Sequence, residues 1–397
     1  MKAEDMGKWS ETRVLHLIDS SEIAGGERYL LDLIRHSGSS FTHIVALSYD
    51  GPLAQQLRDR QIPHFFVGMR SRLSIRSIFE IRKHIQTENI SIVHTHGYRC
   101  NLYGRLACLF QGIRNIATVH VSLYDYVDTP PWLRRIYLQI EKLTSFMTSR
   151  YICISKAMRD DLHKLGIPEE KTVVIHNGVD LDVFYPREPD MKLCDDLKIG
   201  PNRPVIGTVG RMETEKGQVH LIDALPALLV RWPKLRCLFI GKGSLQDELK
   251  KRAAALGLAE ICIFPGVRMD IADVYPLMDL FVLPSPREPF GLVLLEAMAT
   301  GVPVIATSSG GPLDFIQSMV NGILVPPAEP VILASQIDFM LSNHERSHAI
   351  AQKGCETIRK HYDIRKTVEE IERLYHACDA KAEHMPKHSH NYPIRFC

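Results

Sequence analysis

Three features are scarce in this sequence, and each scarcity closes off a class of function. No run of about 18 apolar residues occurs, so nothing in the chain reads as a membrane-spanning helix. The opening segment, MKAEDMGKWSETR, is polar where a secretory signal carries its apolar stretch, and the expected location is the cytoplasm. Charge of one sign is not in excess, because 48 Lys and Arg against 46 Asp and Glu leave a formal net charge of +2. A dedicated nucleic-acid binder normally shows a strong basic excess, so no nucleic-acid partner is expected. Paired cysteines are missing as well. The nine cysteines are scattered from Cys100 to Cys397 without a CxxC pair, a poor framework for disulfides or zinc, and they read as reduced and packed.

What is present suits a soluble α/β protein. At 397 residues the chain is too long for one ordinary core, and 45% hydrophobic against 24% charged residues is enough apolar surface for two. Strand-like RVLHLI (Arg13 to Ile18) is followed by a glycine-bearing loop and an amphipathic helix through about Ile34. The alternation continues through THIVAL, SIVHTH, NIATVH and VVIHNGVD, which implies a parallel sheet covered on both faces. Residues 186–203, rich in proline and mixed charge, read as a linker. A second alternation starts at PVIGTVG (Pro204 to Gly210), so the expected organisation is an N-terminal Rossmann-like domain over 1–185 and a C-terminal one over 204–365. A crossover helix and a polar tail over 366–397 complete the chain.

The chemistry concentrates in SPREPFGLVLLEAMATGVPV, from Ser285 to Val304. It follows the buried strand Leu280 to Leu283, so Glu288 falls in a loop at the carboxyl end of a parallel strand, where such sheets bind ligands. Glu296 lies inside the helix that follows, where an ordinary solvated carboxylate is the simpler alternative. As the acid and nucleophile of a glycoside hydrolase the two are poorly spaced. Eight helical residues would separate them by about 12 Å, beyond the roughly 5–9.5 Å of hydrolytic pairs. Earlier, VGRMETEKGQ places Arg211 and Lys216 around a turn before a helix. Two cations beside a helix N-terminus make a seat for a diphosphate, with an exposed surface pair as the alternative. In the first half, Gly25 and Gly26 join strand and helix, where the backbone turns with positive φ or meets a ligand closely. His120 ends one strand and His94 and His96 end another; for the latter two as metal ligands the sequence offers no third partner, and no metal is expected.

These pieces, taken with ICISKAM (152–158), GGPLDFI (310–316) and NGILVPP (321–327), resemble the retaining GT-B glycosyltransferases of family 4 in order and spacing over nearly the whole chain. The resemblance implies a GT-B fold of two facing Rossmann-like domains and transfer of a sugar from a nucleotide diphosphate-sugar, without cofactor or metal. It assigns Arg211 and Lys216 to the donor diphosphate and Glu296 to the ribose hydroxyls. Glu288, with the backbone of Phe290 and Gly291, goes to the donor sugar, His120 to the reaction centre, and Gly25 and Gly26 to the phosphates. Asp314 departs from the family pattern, since glutamate is more usual after the Gly-Gly pair, and Pro289 offers no N–H to the sugar.

Two stretches, 68–85 and 132–150, mix Arg and Lys with apolar residues. Such segments suit contact with an anionic membrane surface on its inner face and hence a lipid-linked glycan acceptor, with a solvated helix face as the plain alternative. The expected activity is transfer from a UDP- or GDP-sugar to a glycan or lipid-linked glycan in polysaccharide or lipopolysaccharide synthesis. A nucleotide-sugar epimerase or phosphorylase, and a catalytically silent nucleotide-sugar binder, are the competing readings.

Overall fold

The computed structural model describes residues 12–69, 74–125, 129–200 and 204–379. Seven strands form the first sheet: β1 Thr12–Ile18, β2 Phe41–Leu47, β3 His64–Phe66, β4 Ile92–His96, β5 Arg114–Val119, β6 Arg150–Cys153 and β7 Thr172–Val174. Six form the second: β8 Val205–Val209, β9 Arg236–Ile240, β10 Cys262–Gly266, β11 Leu280–Leu283, β12 Val304–Thr307 and β13 Ile323–Val325. Most are short and buried along their length, as expected of parallel strands covered by helices on both sides.

The strand orders are β3-β2-β1-β4-β5-β6-β7 and β10-β9-β8-β11-β12-β13. All pairings are parallel, and the winding direction reverses between β1 and β4 in one sheet and between β8 and β11 in the other. Open α/β sheets leave a crevice at such a reversal, outside the carboxyl ends of the strands. The segments that leave β1, β8 and β11 lead to Gly25 and Gly26 at the start of a helix, to Arg211 and Lys216, and to Glu288 respectively.

Right-handed crossovers place the helices after β1 and β2 on one face of the first sheet and those after β3 to β6 on the other. The cores agree. Leu15, Leu17 and Val93 pack with Ile81 and Tyr103, whereas Val14, Ile92 and Ile116 pack with Tyr29 and Leu33. The last helix, Ile364–Cys378, joins the second of these faces through Ile371 and Tyr375, and Glu372 accepts from the Ser37 hydroxyl at 2.7 Å.

The segment read as a linker is structured through residue 200. It holds the helix Met191–Asp196, and Leu193, Cys194, Leu197 and Ile199 are buried in a core that also contains Val205 and Phe281 of the second sheet. This strap anchors the end of the first domain on the second. Among the described residues no helix is long and apolar enough to cross a membrane, and eight cysteines are free thiols, seven of them buried.

Candidate active site

The second sheet supplies a partly buried ion pair at its reversal. β8 ends in Gly210, whose φ of 156° turns the chain into the segment carrying Arg211 and Lys216. Gly217 then takes φ 61° at the start of the helix Gln218–Leu229. A Cβ there would lie 2.4 Å from the Pro284 carbonyl oxygen, so only glycine lets this helix end approach the loop after β11. Across that contact Lys216 Nζ donates to Glu288 Oε2 at 2.8 Å, and the buried Ser285 hydroxyl donates to the same oxygen at 3.0 Å. The Glu288 loop is pinned in turn by Gly310, where φ is 74° and a Cβ would stand 2.0 Å from the Glu288 carbonyl oxygen.

Arg211 shares the turn but not the partner. Its guanidinium pairs with Glu215 at 2.6 Å and the side chain is 63% exposed, while its carbonyl accepts from Gln218 at 2.8 Å. The two cations stand at one turn on different carboxylates; the structure brings Lys216 and Glu288 together and leaves Arg211 toward solvent. Phe290 is buried against Phe315 and Tyr362, so only its backbone is available to a ligand. Gly291, at φ 95°, starts the helix Leu292–Ala299.

Glu296 is not the solvated helix residue that one sequence reading allowed. It is buried, and it accepts from Arg28 NH1 at 2.8 Å and from the Tyr275 hydroxyl at 2.7 Å. Burial raises its carboxyl above the ordinary range, against the opposing pull of Arg28 and of the Tyr275 hydroxyl. Arg28 comes from the other domain, on the helix Gly25–His36. Glu288 and Glu296 thus bond to different partners.

Further contacts join the domains across the crevice. Arg287 pairs with Asp125 at 3.0 Å and with the buried Asp161. Asp314 accepts from the Lys156 backbone N–H at 2.8 Å and bonds His176 Nε2 at 3.0 Å, and the His176 ring stacks on Phe290. The unusual aspartate is therefore a tie between domains. Arg28, Tyr275, His176 and Arg287 were not singled out in the sequence. Their one local signal is position, at helix starts or in loops at the carboxyl ends of strands.

On the first sheet, Gly25 and Gly26 open the helix Gly25–His36 with ordinary helical φ, so neither is required for a left-handed turn. Gly26 lies against the His120 ring, where a Cβ would sit 3.6 Å away in ordinary contact. Nothing lies within 4 Å of the equivalent point on Gly25, which leaves it open to a ligand. Glu27 caps its own helix by accepting from the Ala24 N–H at 3.1 Å. His94 and His96 do have a third imidazole beside them. It is His16, on β1, and the three bring ring nitrogens within 4.8 Å of one another. The sequence hid it because His16 is about 80 residues away and is placed only by the pairing of β1 with β4.

Comparison with known proteins fits this geometry. Residues 192–357 match the model of the glycosyl transferases group 1, and residues 23–183 match that of glycosyltransferase family 4. An uncharacterized glycosyltransferase of Methanocaldococcus jannaschii is 30% identical over 84% of this chain and 88% of its own length. A UDP-Gal:alpha-D-GlcNAc-diphosphoundecaprenol alpha-1,3-galactosyltransferase of Escherichia coli is 27% identical over 82% of this chain and 86% of its own. Among solved structures, HepE of Anabaena in complex with UDP-glucose superposes with a TM-score of 0.82 at 25% identity, covering 92% of this chain and 99% of HepE. Two doubly wound sheets facing a crevice, with this family of sequences on them, mean that the chain belongs to the group 1 (family 4) glycosyltransferases and has the GT-B fold.

Proposed function

We propose that the protein is a retaining glycosyltransferase that moves a sugar from a UDP- or GDP-sugar to a glycan or lipid-linked glycan at the cytoplasmic face of a membrane, in polysaccharide or lipopolysaccharide assembly. The observation that carries this reading is the Lys216–Glu288 pair, 2.8 Å apart at the reversal of the second sheet and beside the N-terminus of the helix Gln218–Leu229. A cation on a helix N-terminus suits a diphosphate, and a buried carboxylate alongside suits sugar hydroxyls. The names of the relatives point the same way, one to UDP-glucose as ligand and one to a diphosphoundecaprenol acceptor.

In this reading the diphosphate takes Lys216 from Glu288, and Arg211 turns in from its exposed pair with Glu215. As the bond between the sugar anomeric carbon and the phosphate oxygen breaks, these cations and the helix N–H groups stabilise the negative charge that remains. The acceptor hydroxyl attacks from the same face, its oxygen bonds the anomeric carbon, and its proton passes to the departing phosphate oxygen. No protein nucleophile or metal is needed for this balance of charge. Glu296 binds the ribose hydroxyls in place of Arg28, and domain closure keeps water from the donor.

A panel of nucleotide-sugars, assayed for nucleoside diphosphate release with and without a cell-envelope extract, tests the reading. Release that depends on the extract supports transfer. Isomerised donor identifies an epimerase, and binding without turnover identifies a silent binder. A second expectation concerns Arg28. Because its pair with Glu296 must open for a ribose, Arg28→Ala should tighten nucleoside diphosphate binding by about two- to fivefold, the scale of a partly exposed ion pair. Calorimetric titration reads this directly, and weaker binding would mean that Arg28 holds the ligand.

The acceptor side rests on the face of the first sheet covered by the helices Ile75–Thr87, Tyr98–Cys108 and Pro131–Thr144. Phe79 is 63% exposed, Phe110 89%, Trp132 64% and Phe146 74%. In the helix Pro131–Thr144 only Glu141 is buried, held by Arg105 NH1 at 3.0 Å, and Trp132, Ile136 and Leu143 point outward. Exposed large apolar side chains on a face that also carries Arg76, Arg134 and Arg135 suit an anionic bilayer surface. Arg70 and Arg72 of the same basic stretch, and the tail histidines His384, His388 and His390, lie outside the described residues. Replacing Phe79, Phe110 and Phe146 together by Ser should weaken sedimentation with phosphatidylglycerol vesicles by about tenfold or more. Unchanged sedimentation removes the membrane from the account.

A further inference from the structure

Five histidines line one face of the first sheet, beneath the helices Gly25–His36 and Ile364–Cys378. Strand alternation puts His16, His43, His94 and His96 on the same side, and His120 follows at the carboxyl end of β5. Four of them form a continuous row. His43 Nδ1 lies 2.8 Å from His16 Nε2, His16 Nδ1 3.1 Å from His96 Nε2, and His96 Nδ1 3.2 Å from His120 Nε2. The row starts at His43 on β2 and ends at the crevice, where the half-buried His120 ring is backed by Gly26 and by the edge of Tyr29.

The trio His16, His94 and His96 is close enough to invite a metal, but each of its ring nitrogens is already hydrogen-bonded. Those of His94 are taken by the Tyr375 and Thr118 hydroxyls, each at 2.6 Å, those of His16 by His43 and His96, and those of His96 by His16 and His120. A metal needs lone pairs aimed at one point. What is present is a wire.

A neutral imidazole has one N–H and one lone pair, so a row of them can run in only two directions. Burial holds all five neutral, lowering His120 and His43 to about 4 and His94 to about 3. The far end breaks the symmetry. His43 Nε2 is buried, and no group among the described residues hydrogen-bonds to it. If the row donated away from the crevice, this atom would carry an N–H with no acceptor. If the row donates toward the crevice, it carries a bare lone pair, and buried orphan N–H groups are the rarer and costlier of the two.

We infer that the row donates toward the crevice, so that His96 gives its Nδ1–H to His120 Nε2 and His120 presents Nδ1–H to an oxygen of the donor sugar or its diphosphate. His120 is then a hydrogen-bond donor and not a base, and His96, His16 and His43 are positioning residues that fix its tautomer. The role for a ligand rests on the transferase reading; the tautomer does not.

Two-bond proton–nitrogen spectra of the full chain labelled with [15N]histidine read the tautomer directly. The expected spectrum shows His120 protonated at Nδ1 and His43 Nε2 bare. His120 protonated at Nε2, or displacement of the His16, His94 and His96 signals by one equivalent of Zn²⁺, overturns the inference. In kinetics, His120→Asn keeps an N–H near the Nδ1 position and should retain kcat/KM within about tenfold, whereas His120→Asp offers only an acceptor and should lose about a hundredfold or more. The opposite order would make His120 a base. If no donor turns over at all, the transferase reading fails while the spectra still decide the tautomer.

Discussion

Replacing Lys216 by Ala is expected to lower kcat/KM for sugar transfer by about 10²–10³-fold, the cost of removing one donor to developing charge, or roughly 2.7–4 kcal/mol. Both donor binding and kcat should fall, because the diphosphate is charged before the bond breaks and more so afterwards. Arg211→Ala should cost only about tenfold, since Arg211 is mostly exposed and already paired with Glu215. Lys216→Ala also leaves Glu288 buried without its cation, which by itself destabilises the loop. The double variant Lys216→Ala with Glu288→Gln separates the effects. It should recover thermal stability and not activity.

Acidification should unfold the N-terminal domain at a mild pH. His43, His94 and His120 are held neutral with pKa values near 4, 3 and 4, and burial lowers His16 and His96 well below the ordinary value. In the unfolded chain each titrates near its ordinary 6.5. Between those limits the unfolded state binds more protons, so stability is fully present above about pH 6.5 and falls as pH drops toward 4. At pH 5 the loss is about 2 kcal/mol for each of His43, His94 and His120 taken singly, a large share of the stability of a domain. Circular dichroism melts across pH 5 to 7.5 should show a steep fall in Tm on the acid side. His43→Phe should flatten that slope by about one proton, and a Tm that stays level down to pH 5 would contradict the assignment of these rings as neutral.

How much of this was legible in the residues follows from the range of each interaction. The strand alternation, the loop before Leu292 and the cations at Arg211 and Lys216 are local signals, and the structure places them at the carboxyl ends of β8 and β11. The bond from Arg28 to Glu296 spans 268 positions, and nothing near Arg28 in the chain announces it. The histidine row was half visible. The i, i+2 spacing of His94 and His96 marks one face of a strand, but His16 and His43 join only after β1 has been placed between β2 and β4. Proline and charge over 186–203 hid the helix Met191–Asp196, with Leu193 buried in it and Leu197 and Ile199 buried just after it. In that segment composition read as a linker, whereas the apolar residues pack into a core.

The central claim is that Lys216 holds a diphosphate at the reversal of the second sheet. Calorimetric titration of the wild-type and Lys216→Ala proteins with the preferred nucleoside diphosphate and with its monophosphate tests it most directly. Binding of the diphosphate should weaken by about tenfold or more in the variant while that of the monophosphate stays within about threefold. Equal diphosphate affinity in the two proteins would contradict the account.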